Sequence, residues 1–195
     1  GLTNNKVCVV RGHEGSQFTR TDVEYLDNDS YLDTSSAYSL FCAEEAMTDG
    51  FLLLYSDILF DEGLMQRLLE TEGDIVLLLD KSYRYHAHDV NKRLDLVLAD
   101  RTDSSHPRNL AVDSLLNISR IGKQTPVQDN AYEFVGIALF SEKGSAILRR
   151  VYRDAQTRNP SPFHESPSFN QSGFVDIIQE IIREGHQVSG LEVSN

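Results

Sequence analysis

The chain has 195 residues, enough for one domain with a real core, or a domain plus a small appendage. Acidic side chains outnumber basic ones 30 to 18, and the net charge of −12 argues against a non-specific nucleic-acid binder. No apolar run approaches the ~20 residues that cross a bilayer, and no cationic start leads into an apolar h-region. Membrane and secretory readings therefore find no support. Cys8 and Cys42 are too few for a disulfide framework, so a reduced, cytoplasmic setting is the expectation.

Lys6–Val10 reads as a strand closed by Gly12 and Gly15, and Val23–Leu26 as a second short strand before the turn cluster Asp27–Ser30. Ser36–Met47 fits a helix with Ala37, Leu40, Phe41 and Met47 on one stripe, capped by Ser35 or Ser36. Phe51–Tyr55 is continuously apolar, as a central strand covered on both faces would be. Asp61 caps a helix to Glu70, with Leu64, Leu68 and Leu69 facing inward, and Asp74–Leu79 is another buried strand ending at Asp80. Strand, helix and strand with short joints form the βαβ pattern of a parallel sheet.

The second half is less regular. Leu94–Ala99 and Leu115–Ile121 read as strands, with a polar loop across Asp100–Arg108 between them. Tyr132–Phe140 is a strong strand, and Ser141 caps a helix to about Arg158. A long loop, Asn159–Ser172, carries three prolines; loops of this length are often functional or disordered. Gly173–Glu184 is amphipathic, with Phe174, Ile177, Ile178, Ile181 and Ile182 in register, and a last strand begins near His186. The expected fold is a three-layer α/β/α domain with a mixed, mostly parallel sheet.

Asp57 stands at the carboxyl end of the Phe51–Tyr55 strand. Open α/β sheets bind ligands in the crevice beyond such ends. A lone acid there is placed to hold a divalent cation against phosphates; the plainer role is a cap on the next turn's amides. His86 and His88 flank Ala87 without a third ligand at zinc-like spacing, and neither a P-loop nor a G-x-G-x-x-G is present.

Three stretches together resemble the nucleotidyltransferase superfamily, of GT-A-like fold. They are Tyr31-Leu32-Asp33-Thr34-Ser35-Ser36-Ala37-Tyr38-Ser39-Leu40, then Tyr55-Ser56-Asp57-Ile58-Leu59-Phe60, then Ile118–Lys123 followed by Tyr132–Ser141. Ser56 stands where the family usually has glycine. The nearest subgroup is the cytidylyltransferase-like domain fused to phosphoenolpyruvate mutases, with the choline-phosphate cytidylyltransferases. The family's opening glycine-rich loop with Arg and Lys does not precede Lys6, and the chain stops at Val193-Ser194-Asn195, about where its second metal-binding Asp would come. The expectation is a single domain that is part of a larger chain.

The resemblance implies Mg²⁺ as cofactor, with Asp57 as its ligand. It implies a nucleoside triphosphate and a small phosphorylated acceptor as partners, and possible fusion to a mutase domain. Lys123, after a strand-ending glycine, would reach the acceptor's phosphate, or be an exposed turn lysine. Glu133 would bind an acceptor amine or hydroxyl from the sheet rim, or be a solvated strand-end acid. Tyr31, Ser35, Ser36 and Tyr38 lie where loop becomes helix and would face nucleotide or acceptor, Tyr38 otherwise being half core. Asp80 would support the acceptor, or simply cap its turn. A catalytically incomplete binding module is the rival reading. A GT-A glycosyltransferase would want Asp-x-Asp where the chain has Asp57-Ile58-Leu59.

Overall fold

The computed structural model describes residues 6–85, 93–101 and 115–193. The His86/His88 pair and most of the Asp100–Arg108 loop lie outside them. Among the described residues eight strands and four α-helices follow in chain order: β1 (Cys8–Arg11), β2 (Glu24–Asp27), α1 (Ser36–Cys42), β3 (Phe51–Leu54), α2 (Glu62–Leu69), β4 (Ile75–Asp80), β5 (Leu96–Arg101), β6 (Leu116–Gly122), β7 (Ala131–Phe140), α3 (Glu142–Arg158), α4 (Phe174–Arg183) and β8 (Ser189–Val193). The helix expected over Ser36–Met47 breaks at Ala43 and ends in a 3-10 turn, Glu44–Met47.

A six-stranded sheet has the order β3-β7-β4-β8-β6-β5, with β5 also touching β7, and β1 pairs with β2 in a small parallel sheet. In the large sheet β3, β4, β5 and β8 share a direction, and β6 and β7 run against them. β7 enters between β3 and β4, so the expected βαβ pair is not adjacent, and among the described strands of the large sheet only β4 and β8 are parallel neighbours. β3 was expected at the centre and instead forms an edge. Leu54 there is 42% exposed, although its strand packs on both faces, Phe51 and Leu53 toward one side and Leu52 toward the other.

The layers follow from strand alternation. Ile75, Leu77, Leu79, Phe134, Ala138 and Phe140 face a core closed by α1, α3 and α4. Val76, Leu78, Ile137 and Leu191 face the other way, onto Leu68 and Leu64 of α2. The amphipathic stripe of α4 buries Phe174, Ile177, Ile178 and Ile181 as its periodicity predicts. Leu69, expected inward, is exposed.

Capping sets the helix starts. The Asp61 carboxylate accepts the Gly63 amide at 2.7 Å, and the Ser141 hydroxyl accepts the Gly144 amide at 3.0 Å. Gly144 has a second, steric reason: a Cβ there would lie 1.7 Å from the Asp74 carbonyl oxygen. Backbone cannot step aside as a side chain can, so α3 would have to lift from β4. Gly144→Ala is expected to cost about 2–3 kcal/mol, the upper range for overpacking, read as a lowered midpoint in urea denaturation with an unchanged slope.

Candidate active site

The carboxyl ends of β3 and β4 and the starts of β5 and β7 meet at one end of the large sheet. One cross-strand row runs Val193–Asp80–Glu133–Leu96–Gly122 through five strands. Lys123 follows Gly122 directly and Lys81 follows Asp80, so two cations of this acidic chain stand at the same edge. Lys81 places its ammonium 5.4 Å from the centre of the Tyr132 ring.

β3 ends beside this row. The Tyr55 amide donates to the Gly136 carbonyl at 2.9 Å, and Asp57 sits two residues further on, exposed to solvent in a turn. Burial pushes the Tyr55 phenol up, the negative charge of Asp95 adds to this, a hydrogen bond with Ser36 opposes it, and Asp57 raises it further. Ser36 is thus hydrogen-bonded to the phenol, and Asp95 and Asp57 are within electrostatic reach of it. Gly136 is the residue that lets the ring in. It has φ 81° where the β4–β7 register shifts, and a Cβ there would lie 2.7 Å from the Tyr55 ring. The close approach at Gly136 is thus made by a protein side chain.

The residues singled out in the sequence divide into groups. Ser36 bonds the hydroxyl of Tyr55, two residues before Asp57; Asp80, Glu133 and Lys123 fall in or next to the row. By alternation Asp80 and Glu133 share the α2 side, whereas Tyr55, Asp95 and Ser36 lie on the side of α1. Asp80 performs the plainer duty foreseen for it: its carboxylate accepts the Ser82 amide at 2.6 Å and the Ser82 hydroxyl at 2.7 Å. The Ser36 hydroxyl also accepts the Phe174 amide at 2.9 Å, tying α1 to α4. Ser35 occupies the N-cap of α1 without a side-chain capping bond.

Two tyrosines belong elsewhere. Tyr31 packs on His13 with ring centres 5.9 Å apart, in an open depression of about 290 Å³ lined by Arg11, Gly12, Asp27 and Asn28. No described contact joins it to Asp57. Tyr38 is half-buried on α1, and after burial itself it is the next influence raising the phenol of Tyr152 on α3. Sequence reasoning missed Tyr55, Asp95 and Lys81. Lys81 had a signal, as a cation directly after a strand-ending acid; Asp95 enters only through pairing, its carbonyl accepting the Phe134 amide at 2.9 Å.

The Lys123 turn is held from behind. The Glu165 carboxylate accepts the amides of Lys123, at 2.7 Å, and Gln124, at 3.0 and 3.1 Å. Glu165 comes from the proline-bearing loop, which is ordered by buried Phe163 and Phe169 and by bonds to α4. There Asp176 accepts the Glu165 amide and the Ser166 hydroxyl, Gln179 accepts the Ile121 amide, and Glu180 pairs with His164 at 2.8 Å.

Glu180 is 2% exposed and binds Arg183 and Arg158 as well, each at 2.6 Å. The Arg183 guanidinium foremost, against the cost of burial, and then Arg158 and His164 bring its carboxyl down to about 2 from 4.5. As pH falls from about 4.5 to about 2 the unfolded chain takes up a proton there and the folded chain does not. This contribution is present above pH 4.5 and is lost through that window. Glu180→Gln should flatten the acid limb of a thermal-midpoint-against-pH curve over the same range, relative to the parent.

No protein-family model matches the chain, and no curated protein sequence does. Solved structures do. The inositol-1-phosphate CTP transferase from T. maritima superposes with a TM-score of 0.55 at 18% identity, over 89% of this chain and 58% of its own. The mannose-1-phosphate geranyltransferase from Thermus thermophilus gives 0.60 at 12% identity, over 95% and 58%. The CTP:phosphocholine cytidylyltransferase from Streptococcus pneumoniae gives 0.53 at 14% identity, over 98% and 70%. The fold is that of the nucleotide-diphospho-sugar transferases. The chain spans 58% of the length of the first two neighbours. Among the described residues no helix is long and apolar enough to cross a membrane.

Proposed function

We propose that this chain is a nucleotidyltransferase domain that joins a nucleoside monophosphate, CMP from CTP, to a small phosphorylated or phosphonylated acceptor with release of pyrophosphate. The observation that carries the reading is the cross-strand row Val193–Asp80–Glu133–Leu96–Gly122, with Lys81 and Lys123 directly after two of its members and the exposed Asp57 just past the end of β3 beside it, at the strand-end crevice of this fold.

The chemistry needs no covalent protein intermediate. An oxygen of the acceptor's phosphate attacks the α-phosphorus, one P–O bond forms, the α–β P–O bond breaks, and pyrophosphate carries away the electron pair. The protein's task is alignment and charge neutralisation. Asp57 is exposed and offers hard oxygen atoms, a fit to Mg²⁺ that arrives with a nucleotide and keeps several waters. It would supply positive charge against the triphosphate, whose repulsion with a chain of net charge −12 is otherwise unfavourable. Among the described residues no three His, Cys, Asp or Glu side chains converge to hold an ion by themselves. A resident metal is therefore not part of the proposal.

Lys123 holds the acceptor's phosphate in this reading, and Lys81 adds cationic charge at the same edge. Glu133, half-buried in the row, faces an amine or hydroxyl of the acceptor. Ser36 and Ser35, at the start of α1, line the nucleotide side, and Asp80 holds its turn so that Lys81 keeps its place. Tyr31 and Tyr38 drop out, since their neighbours are His13 and Tyr152. The second reading is a binding module without turnover, favoured by the lack, among the described residues, of any group of three His, Cys, Asp or Glu side chains that could hold a cation.

Pyrophosphate release from CTP and Mg²⁺, assayed in the whole protein over a panel of phosphorylated acceptors, tests the proposal. Asp57→Asn is expected to lower turnover by about 10²-fold or more, as loss of a charge-neutralising group does. Undiminished turnover in Asp57→Asn removes this carboxylate from the site. CTP binding without turnover for any acceptor favours the binding module.

A further inference from the structure

We infer that Glu165 is a positioning residue for the phosphate-binding turn: its carboxylate, by taking two successive backbone amides, aims Lys123 at the site. The inference rests on the role proposed for Lys123 and extends it to a loop remote in sequence.

The geometry is built from both sides. On the near side lies the turn after β6. Gly122 has φ 148°, outside the range that side chains favour, and a Cβ there would meet Glu165 Oε1 at 2.5 Å. The carboxylate thus occupies the space that a side chain at position 122 would fill. It receives the Lys123 and Gln124 amides, an arrangement stronger than neutral bonds because the acceptor is charged. With its amide so engaged, Lys123 has its backbone set while its exposed ammonium stays available to a ligand.

On the far side Glu165 has little freedom. It sits at the tip of a tight hairpin closed by two bonds between Phe163 and Ser166, at 3.0 and 2.9 Å. Phe163 is 4% exposed and packs edge-on to Phe169. The neighbouring His164 bonds Glu180, and the amide of Glu165 bonds Asp176, both on α4. A negative charge beside a phosphate site would repel its ligand. Here the charge is spent on backbone donors of the turn and carries the lysine forward, so position is gained without a free anion in the site.

Inorganic phosphate serves as the probe, titrated into the ¹⁵N-labelled chain while the Lys123 and Gln124 amides are followed by NMR. The parent protein should show a saturable shift at both. Lys123→Ala and Glu165→Ala should each weaken phosphate binding by about tenfold, and Glu165→Gln, which keeps one acceptor oxygen, by about threefold. Gly122→Ala displaces the same carboxylate, so the Gly122→Ala/Glu165→Ala pair should bind no more weakly than either single variant. Glu165→Ala should retain the parent's thermal midpoint within a few degrees, separating loss of aim from loss of fold. Parent-like phosphate affinity in Glu165→Ala, alongside weakened binding in Lys123→Ala, overturns the assignment of Glu165 alone. No saturable response at Lys123 in the parent overturns the Lys123 reading, and this inference with it.

Discussion

Three strands take their place from a fourth. β7 pairs with β3 along its second half, with β4 from end to end, and with β5 at its start. Its ten residues are longer than any other strand described, and both faces are covered, which is why it alternates between two cores. Each cross-strand pair fixes the next strand to within one residue, because a slip by one would turn every apolar side chain to the wrong face. The alignment of Asp80, Leu96 and Gly122 with Glu133 is thus a consequence of packing in the body of the sheet, well behind the site.

The one irregularity in β7 matters as much as its regularity. At Gly136 the pairing with β4 shifts, and the absent side chain admits the ring of Tyr55. Tyr55 then carries its hydroxyl to Ser36 of α1, so the end of β3 and the start of a helix are tied through one half-buried tyrosine. Asp57, two residues beyond, inherits its place from that anchor. Behind the other flank, α4 does similar work with charged groups: Asp176, Gln179 and Glu180 reach the proline-bearing loop and the end of β6. The site is carried by a neutral, buried scaffold on one side and a hydrogen-bonded, ionic one on the other. These differ in response to acid, since only the second loses its partners when carboxylates are protonated.

The electrostatic problem of an acidic chain that handles phosphates is met locally. Most acidic side chains with named partners sit in surface ion pairs, such as Arg11 with Asp27 and Arg20 with Asp22, where solvent screening leaves little net effect. At the strand ends the balance is different: Lys81 and Lys123 directly follow Asp80 and Gly122 of the row that also holds Glu133. Glu165 and Asp80 are turned to backbone amides and a hydroxyl, which softens the local anionic field without removing residues.

Local patterns were legible in the sequence because their causes are local. The 3.6-residue period of α4, the caps Asp61 and Ser141, and the strand character of Tyr132–Phe140 each follow from neighbours within a few positions. So did Asp57 at a strand's end, and the three-layer α/β class. Tertiary structure alone decided what depends on pairing between distant segments. It set β3 at an edge although its run Phe51–Leu54 is as apolar as a central strand's, because hydrophobicity reports burial of faces and says nothing of which edge is bonded. It brought Asp95 and Ser36 to Tyr55, sent Tyr31 and Tyr38 elsewhere, and set Glu165 under Lys123 across 42 positions. A side chain's period determines which face it takes; only the closed network of strands and loops determines whom it meets there.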